Sequence, residues 1–538
     1  MKRLMLATIA AALAVAALPA AAQTVKPGGA MTVTYKDDIS TLDPAIGYDW
    51  QTWSMIKALF DGLMDYKPGT TELRPDLAES YTVSPDGLVY TFKLRKGVKF
   101  HNGRTLTSAD IKYSIERSVD PVTQSPGQGF FLSIKGFADM AAGKAKWLSG
   151  ITTPDDDTVV IELSRPDATF LQVLAINFAF AVPKEVVAKY GQDFGRHPVG
   201  TGAYEMAEWT LGQRVVFEKN PDYFRPGVPY LDKITFEVGQ DPMVALLRLQ
   251  RGEVDVLGDS IPSAQFLKVK NDPANKDLIV EGGLLHTGYI TMNVTKPPFD
   301  NVLVRRAVNM AINKERVLRI VNNRGVVANQ PLPPAMPGYD PGYKGYPYDP
   351  TKAKALLAEA GYGNGFTTQI YVMNTNPNPR IAQSIQRDLA EIGITAEVKS
   401  LAQSVVIAAG GDGTAPMIWS GGMAWIADYP DPSNFYGPIL GCGGAVRGGW
   451  NWSKYCNKDI EALAAKADAM ANPSQAAARI DQWRSIFVKI MDDAPWVPVF
   501  NEVRFAMHSS KIGGDDIFFA DPIHIPVHYE YVYSQDAQ

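Results

Sequence analysis

Histidine is scarce in this sequence, and the local motifs of common enzyme classes are missing. Six histidines occur in 538 residues, and none lies in the H-E-x-x-H pattern that places two zinc ligands on one helix face. No G-x-S-x-G nucleophile motif occurs, and GTGAY at 200–204 lacks the third glycine of the dinucleotide-binding motif. We therefore predict no metal, no cofactor and no catalytic residues, and we expect a protein that is not an enzyme.

Basic residues are too few to form a surface for nucleic acid. The 52 lysines and arginines are outnumbered by 57 aspartates and glutamates, which gives a formal net charge of −5. No block of basic residues interrupts this balance. A mildly acidic surface does not attract a phosphate backbone, so we expect no nucleic-acid partner.

Long apolar runs are absent after residue 22, where nothing approaches the roughly 18 residues of a membrane-spanning helix. The beginning, MKRLMLATIAAALAVAALPAAAQ, combines two basic residues, a short apolar run and an Ala-x-Ala ending. This pattern predicts a secretory signal peptide over residues 1–22, cleaved before Gln23. No cysteine stands at that junction, so we expect a periplasmic protein without a lipid anchor.

The chain has only two cysteines, Cys442 and Cys456. In an exported protein, an even pair this close in sequence indicates a disulfide. Closing a loop of about 15 residues stabilises a fold by roughly 3 kcal/mol in the chain-entropy model. Two thiols with no histidine between them make a poor metal site, so we predict a structural disulfide.

Strand patterns and helix patterns alternate along the whole chain, which predicts an α/β class. SPDG at 84–87 predicts a type I turn between two strands, and TSADIKYSIERSV at 107–119 predicts a capped helix. RIDQWRSIFVKIMDDAPWVPVF predicts a helix that ends before a strand beginning at Trp496. The length exceeds what one hydrophobic core usually serves, so we expect two or more lobes.

The segment WIADYPDP at 425–432 brings two aromatic residues, two acids and two prolines together. Its prolines exclude the interior of a helix. Trp425, Asp428 and Tyr429 therefore cluster where no regular element requires them. Asp428 is a candidate to accept a positive charge, although a helix cap or an internal salt bridge would also explain it. For Asp431 we expect a solvated acid of a turn.

Six segments of the sequence carry a pattern that extends beyond single motifs. They are TLDPA (41–45), LFDGLMDY (59–66), RPDLAESYTVSPDGLVYTFKLRKGVKFHNGRTLTSADIKYSIER (74–117), HPVGTGAYEMAEWTLGQRVVFEKNPDYF (197–224), MNVTKPPFDNVLVRRAVNMAINKERVL (292–318) and WIADYPDPSNF (425–435). In this order they closely resemble the extracellular solute-binding proteins of the dipeptide, oligopeptide and nickel ABC-transporter family. The resemblance runs from about Thr41 to about Phe500.

The resemblance implies a two-lobed periplasmic binding-protein fold with an additional inserted domain. Lobe I would comprise 23–58, 181–284 and 501–538, the inserted domain II would comprise 59–180, and lobe III would comprise 285–500. The lobes would be joined by hinge crossings and would close around a ligand in the cleft between them. The implied partners are a peptide or other small solute and an inner-membrane ABC permease with its ATPase, and we expect a monomer.

The resemblance also implies roles for individual residues. Relatives that bind peptides use the acid at the position of Asp428 to hold the α-ammonium group of the ligand. Trp425 and Tyr429 would add aromatic walls or a cation–π contact of about 0.5–2 kcal/mol. Such a site suits a peptide or a similar amine-bearing solute.

One part of the family pattern is missing. Dipeptide-binding relatives carry an arginine for the ligand carboxylate in the loop ahead of the helix RIAQSIQRDLAEIG, but here that loop reads MNTNP at 373–377. Asn374 and Arg380, which follows at the start of the helix, are the remaining candidates. Nickel chelates, opines and oligosaccharides are alternative ligands, and a sugar would stack on Trp419, Trp425, Trp450 or Trp452. An exported glycoside or peptide hydrolase is the alternative of another class.

Overall fold

The computed structural model describes residues 25–421, 425–515, 518–519, 521–523 and 527–535. The predicted signal peptide at 1–22 lies outside these residues. Helices and strands intermix throughout the described chain, which confirms the predicted α/β class.

The elements are numbered in chain order. The strands are β1 (Ala30–Thr34), β2 (Met64–Tyr66), β3 (Leu73–Pro75), β4 (Ala78–Val83), β5 (Val89–Leu94), β6 (Ile151–Asp155), β7 (Thr158–Glu162), β8 (Tyr204–Thr210), β9 (Arg214–Lys219), β10 (Lys233–Glu237), β11 (Val256–Leu257), β12 (Ile279–Gly283), β13 (His286–Met292), β14 (Gly325–Val327), β15 (Phe366–Met373), β16 (Ile394–Leu401), β17 (Met417–Trp419), β18 (Trp425–Ile426), β19 (Trp496–Met507), β20 (Ile512–Gly513) and β21 (Tyr533–Ser534). The helices are α1 (Trp50–Leu59), α2 (Ser108–Val119), α3 (Phe137–Ala141), α4 (Phe170–Val173), α5 (Lys184–Tyr190), α6 (Pro242–Gln250), α7 (Phe266–Lys270), α8 (Val302–Ala311), α9 (Lys314–Ile320), α10 (Pro350–Glu359), α11 (Asn378–Glu391), α12 (Gln403–Gly411), α13 (Pro432–Tyr436), α14 (Lys458–Asp468) and α15 (Ala476–Asp493).

Three large sheets organise these elements. The first has the order β11-β1-β10-β9-β8, with β1 parallel to both of its neighbours. The second is antiparallel, with the order β4-β5-β7-β6, and is inserted in sequence between β1 and β8. The third has the order β12-β19-β13-β17-β15-β16, and β18 pairs with β13 beside it. The chain therefore leaves the first sheet, builds the second, and returns before it forms the third.

Local sequence signals explain the elements that they predicted. The turn at 84–87 is confirmed: the Gly87 N–H donates to the Ser84 carbonyl at 2.9 Å, and Gly87 has the positive φ of 72° that glycine tolerates. Helix α2 begins with a capping box in which Thr107 and Asp110 exchange hydrogen bonds. The predicted change from helix to strand before Trp496 is also confirmed, since α15 ends at Asp493.

The two cysteines form the predicted disulfide. Cys442 and Cys456 are bonded across a sequence separation of 14 residues. The bond ties the turn after α13 to the segment just before α14. It therefore holds a loop-rich stretch in which the described backbone forms only one short 3₁₀ turn.

A buried network of charges joins α1 to the first hairpin of the chain. The Nζ atom of Lys57 lies 3.1 Å from Asp65 and 3.5 Å from Asp76, and the side chains of all three are nearly inaccessible. Arg74 and Arg225 also pair with Asp65, at 2.8 and 3.1 Å. Burial alone would raise the pKa of Asp65, but these cations hold it well below its ordinary value. Each charge in the network is thus compensated within the protein.

We expect Lys57→Met to lower the free energy of unfolding by about 3–5 kcal/mol, because it leaves two buried carboxylates with less compensation. Urea unfolding at neutral pH measures the loss. Lys96→Met is the matched control, since Lys96 is 83% exposed and lies 3.7 Å from Asp157, and its effect should stay within about 0.5 kcal/mol. Equal stability of the two variants would contradict the structural role of the network.

Candidate ligand-binding site

The segment that contains Asp428 is held between a strand and a short helix. Strand β18 pairs antiparallel with β13, so that Ile426 lies opposite His286. The chain then turns, and α13 begins at Pro432, where a missing N–H costs nothing. Asp428 lies between these two elements, and its position is fixed from both sides.

Asp428 is buried and accepts hydrogen bonds from two side chains. The Tyr48 hydroxyl donates to Oδ1 at 2.5 Å, and Asn434 Nδ2 donates to Oδ2 at 3.0 Å. Asn434 in turn accepts from the Asp428 N–H at 3.1 Å and from the indole N–H of Trp425 at 2.9 Å. Asn434 thereby orients both the acid and the aromatic ring beside it.

The carboxylate of Asp428 takes part in no ion pair in the described chain, although Lys57 lines the same cavity. Within the described part of the chain, no lysine, arginine or histidine forms an ion pair with it, and no charged residue contributes to its pKa shift. Burial raises the pKa of Asp428, although the hydrogen bonds from Tyr48 and Asn434 oppose the shift. A desolvated acid with two neutral donors is a favourable place for an external cation.

Asp431 is not the solvated turn acid that the sequence predicted, and that prediction is wrong. Its side chain is 3% exposed and forms a bidentate pair with Arg479, at 2.6 and 2.8 Å. It also caps α13 by accepting from the Ser433 N–H at 2.9 Å. Burial would raise the pKa of Asp431, but Arg479 lowers it below its ordinary value. Asp431 is thus an internal structural charge.

A cavity of about 40 Å³ opens beside Asp428. Its other lining residues come from the first 180 residues of the chain, apart from Ile523. They are mainly aromatic and include Tyr48, Trp53, Tyr66, Phe130 and Phe178. This volume holds a few water molecules but not a dipeptide, so the walls must separate before a larger solute can enter.

The predicted aromatic residues have different environments. Trp425 is half-buried and meets Trp450 edge to face, with ring centroids 6.4 Å apart. Tyr429 is also half-buried and contacts Phe130 in the same way, at 6.3 Å. Tyr429 therefore packs against a wall residue of the cavity, whereas the partner of Trp425 is not part of that wall, and neither Trp425 nor Tyr429 lines the cavity.

Trp419 occupies the core instead of a binding surface. It is fully buried in the hydrophobic cluster around β13, β15 and β17. Its indole N–H donates to Asn378 Oδ1 at 3.1 Å, and its ring centroid lies 6.0 Å from that of Phe500. A ring without an exposed face cannot stack on a sugar, so the position of Trp419 argues against the predicted ligand contact.

Asn374 and Arg380 precede Asp428 by 54 and 48 residues in the chain. Both side chains are exposed, one just after β15 and the other in the first turn of α11. Neither lines the cavity beside Asp428. The structure therefore does not bring these two candidates together with the acid.

Two residues of the site were not predicted from the sequence. Tyr48 is 380 positions away from Asp428, and no local pattern distinguishes it from other tyrosines. Asn434 belongs to the segment WIADYPDPSNF. An asparagine so close in sequence to Asp428 was a usable signal that it donates a hydrogen bond to that acid. Only the folded chain shows that it bridges Trp425 and Asp428.

The described ranges contain neither a metal-binding cluster nor a membrane-spanning helix. No group of three or more histidine, cysteine, aspartate or glutamate side chains there is arranged to hold a metal ion. No described helix has both the length and the apolar character needed to cross a membrane.

A two-lobed α/β fold with an enclosed site defines the class of periplasmic solute-binding proteins. The chain belongs to the bacterial extracellular solute-binding proteins, family 5, whose middle-region profile matches residues 72–446. This confirms the family resemblance read from the sequence.

Sequence alignments with relatives in this family extend over most of the chain. It is 33% identical over 478 residues to heme-binding protein A of Haemophilus influenzae, covering 85% of this chain and 84% of that protein. It is 32% identical over 487 residues to the dipeptide-binding protein of Escherichia coli, covering 86% and 87%. Among solved structures, it matches the periplasmic binding protein DppA from Helicobacter pylori in complex with peptide STSA, with a TM-score of 0.76, 29% identity, and coverage of 95% and 99%. The predicted two-lobed fold is thereby confirmed.

The two acids of the segment should respond oppositely to neutralisation. Asp431→Asn leaves the buried Arg479 with only the more distant Asp468, at 3.4 Å, and should lower the free energy of unfolding by about 3–5 kcal/mol. Asp428→Asn removes a buried charge that has no cation, so the variant should be as stable as the natural protein or more stable. Thermal and urea unfolding of both variants without added solute would measure the contrast. A large loss of stability in Asp428→Asn would show that the acid has a structural partner.

Proposed function

We propose that this protein captures a peptide or a similar amine-bearing solute in the periplasm and delivers it to an inner-membrane ABC permease. The observation that carries the proposal is the buried carboxylate of Asp428, which has two neutral donors and no cation in the described chain. Membership of the family supports the other parts of the proposal, including the role as a binding protein and not an enzyme.

The chemistry of the site suits a primary ammonium group. A cation that enters a closed cleft loses its hydration, and a charge-assisted hydrogen bond to a carboxylate replaces much of it. The aromatic walls add apolar contact and attraction between a cation and a ring. A sugar would leave the carboxylate uncompensated, and an anionic metal chelate would be repelled by it.

The arrangement of the site requires movement between its two sides. Tyr48 lies in the N-terminal part of the chain, and Asp428 lies in the part that we assign to lobe III. Their hydrogen bond of 2.5 Å closes the cavity. We propose that hinge motion separates the two residues, admits the solute and closes over it. We retain the predicted lobe boundaries and the monomeric state as parts of this proposal.

Asp428→Asn should weaken the binding of a peptide by about 2–5 kcal/mol, because the ligand ammonium is then buried without a counter-charge. Isothermal titration calorimetry with trialanine, and with its N-acetylated form as the uncharged counterpart, measures this effect. The acetylated peptide should bind poorly to the natural protein as well. Asp412→Asn is the control, since Asp412 lies on the surface opposite an exposed arginine. Unchanged affinity in Asp428→Asn would refute the ammonium site.

The affinity for the same peptide should fall as the pH is lowered, because a protonated Asp428 cannot pair with an ammonium. Burial raises the pKa of Asp428 above its usual 3.8, so the loss should begin at a higher pH than for an exposed acid. Titrations between about pH 4 and 8 would measure the change. In Asp428→Asn the same range should have little effect.

A further inference from the structure

The cavity beside Asp428 contains a polar group that the described chain leaves unpaired, the hydroxyl of Tyr66. Tyr66 lines this cavity, and the residue is only 5% exposed. Within the described part of the chain, its hydroxyl oxygen is buried and has no hydrogen-bond partner. Buried hydroxyl groups are nearly always hydrogen-bonded, because an unpaired one is unfavourable. This exception therefore points to a partner that enters the cavity from outside.

Tyr66 is held at a fixed position in the cavity wall. It is the last residue of β2, where it pairs with Leu73 of β3. Burial raises the pKa of Tyr66 well above its ordinary value, and the negative charge of Asp431 adds to the shift. The group is therefore a neutral hydroxyl, which can both donate and accept a hydrogen bond. The influence of Asp431 also shows that the ring lies near the segment that carries Asp428.

Other polar side chains of the same cavity have partners within the protein. The Tyr48 hydroxyl donates to Asp428. Asn177 Nδ2 donates to two backbone carbonyls, at 2.7 and 2.8 Å. Lys57 is paired with two buried carboxylates, at 3.1 and 3.5 Å. The hydroxyl of Tyr66 differs from these groups, since its hydrogen-bonding capacity is unused.

The remainder of the cavity wall is largely apolar. Phe130, Ile176, Phe178 and Phe180 are among its residues. The volume of about 40 Å³ admits a group of the size of one or a few water molecules. A side chain that enters the cavity must therefore be short, and it would meet carbon on most sides and the hydroxyl of Tyr66.

The first residue of a peptide can reach Asp428 and Tyr66 together. In serine, the amine nitrogen and the hydroxyl oxygen are three bonds apart, a separation of about 2.5–3.7 Å. With a hydrogen bond of about 2.8 Å at each end, this residue bridges two protein oxygens up to roughly 9 Å apart. Asp428 and Tyr66 line one small cavity, so a single short residue can pair with both.

We propose that Tyr66 selects the first residue of the solute by hydrogen bonding to a side-chain hydroxyl, and that the preferred solutes are peptides that begin with a short hydroxyl-bearing residue such as serine. This inference rests on the proposed function and specifies its ligand class. A serine side chain supplies the partner that the Tyr66 hydroxyl lacks. An apolar side chain of the same size leaves that hydroxyl buried and unpaired, which is the unfavourable case.

The test compares Ser-Ala-Ala with a peptide whose first residue is 2-aminobutyrate, in which a methyl group replaces the hydroxyl. Isothermal titration calorimetry with the natural protein should show that the serine peptide binds about three- to tenfold more tightly, the range of one net hydrogen bond. Tyr66→Phe should abolish this difference, mainly by weakening the binding of the serine peptide.

Tyr204→Phe is the matched control. Tyr204 is also buried, its hydroxyl donates to the Tyr529 carbonyl at 3.2 Å, and it is not part of the cavity wall. This variant should keep the preference for serine. Survival of the preference in Tyr66→Phe, or its loss in both variants, overturns the role of Tyr66. If Tyr66→Phe does not fold, the comparison of the two peptides with the natural protein still decides.

The outcomes separate this inference from the proposed function. Equal affinity for the two peptides, with binding that depends on Asp428, overturns the selection by Tyr66 and leaves the proposed function intact. Failure of both peptides and of trialanine to bind overturns both proposals. A preference for serine that Tyr66→Phe removes and Tyr204→Phe keeps supports both.

Discussion

The hydrogen bond between Tyr48 and Asp428 connects two parts of the chain that are 380 residues apart, and the site depends on it. It closes the cavity and gives the buried carboxylate one of its two side-chain donors. A neutral donor stabilises the charge without cancelling it. In the proposed function, a ligand ammonium would replace this weaker partner, so that ligand binding and the breaking of the Tyr48 contact are coupled.

The remaining buried charges near the site are compensated within the protein. Asp431 is paired with Arg479, and Asp65 and Asp76 are paired with Lys57 and Arg225. These ion pairs connect segments that are separated in sequence. Because they are satisfied, they do not compete for a cationic ligand. Asp428 is the exception that leaves a charge available.

Two acids three residues apart thus have different environments. Asp431 lies at the start of α13 and reaches Arg479 on α15, so its charge stabilises the fold. Asp428 precedes that helix and lines the cavity, where no charged residue of the described chain contributes to its pKa shift. A binding site commonly retains groups that are unfavourable for stability alone, and Asp428 fits that description.

Much of the architecture was predictable from the sequence, because its signals are local or extend over long segments. The turn at 84–87, the cap at Thr107, the disulfide and the family pattern each depend on residues near one another in sequence or on an ordered series of segments. The choice of Asp428 as a binding residue also came from the sequence, and it remains a prediction to be tested.

The partners of each side chain were decided only by the tertiary structure. Asp431 lies in a sequence context typical of a turn. Nothing near it in sequence reveals its partner Arg479, which is 48 residues away. Trp419 has the same residue type as Trp425, but β17 places it in the core. Tyr48 contacts Asp428 from 380 residues away. Burial and pairing arise from contacts between distant segments, and a single sequence does not encode these contacts in any local pattern.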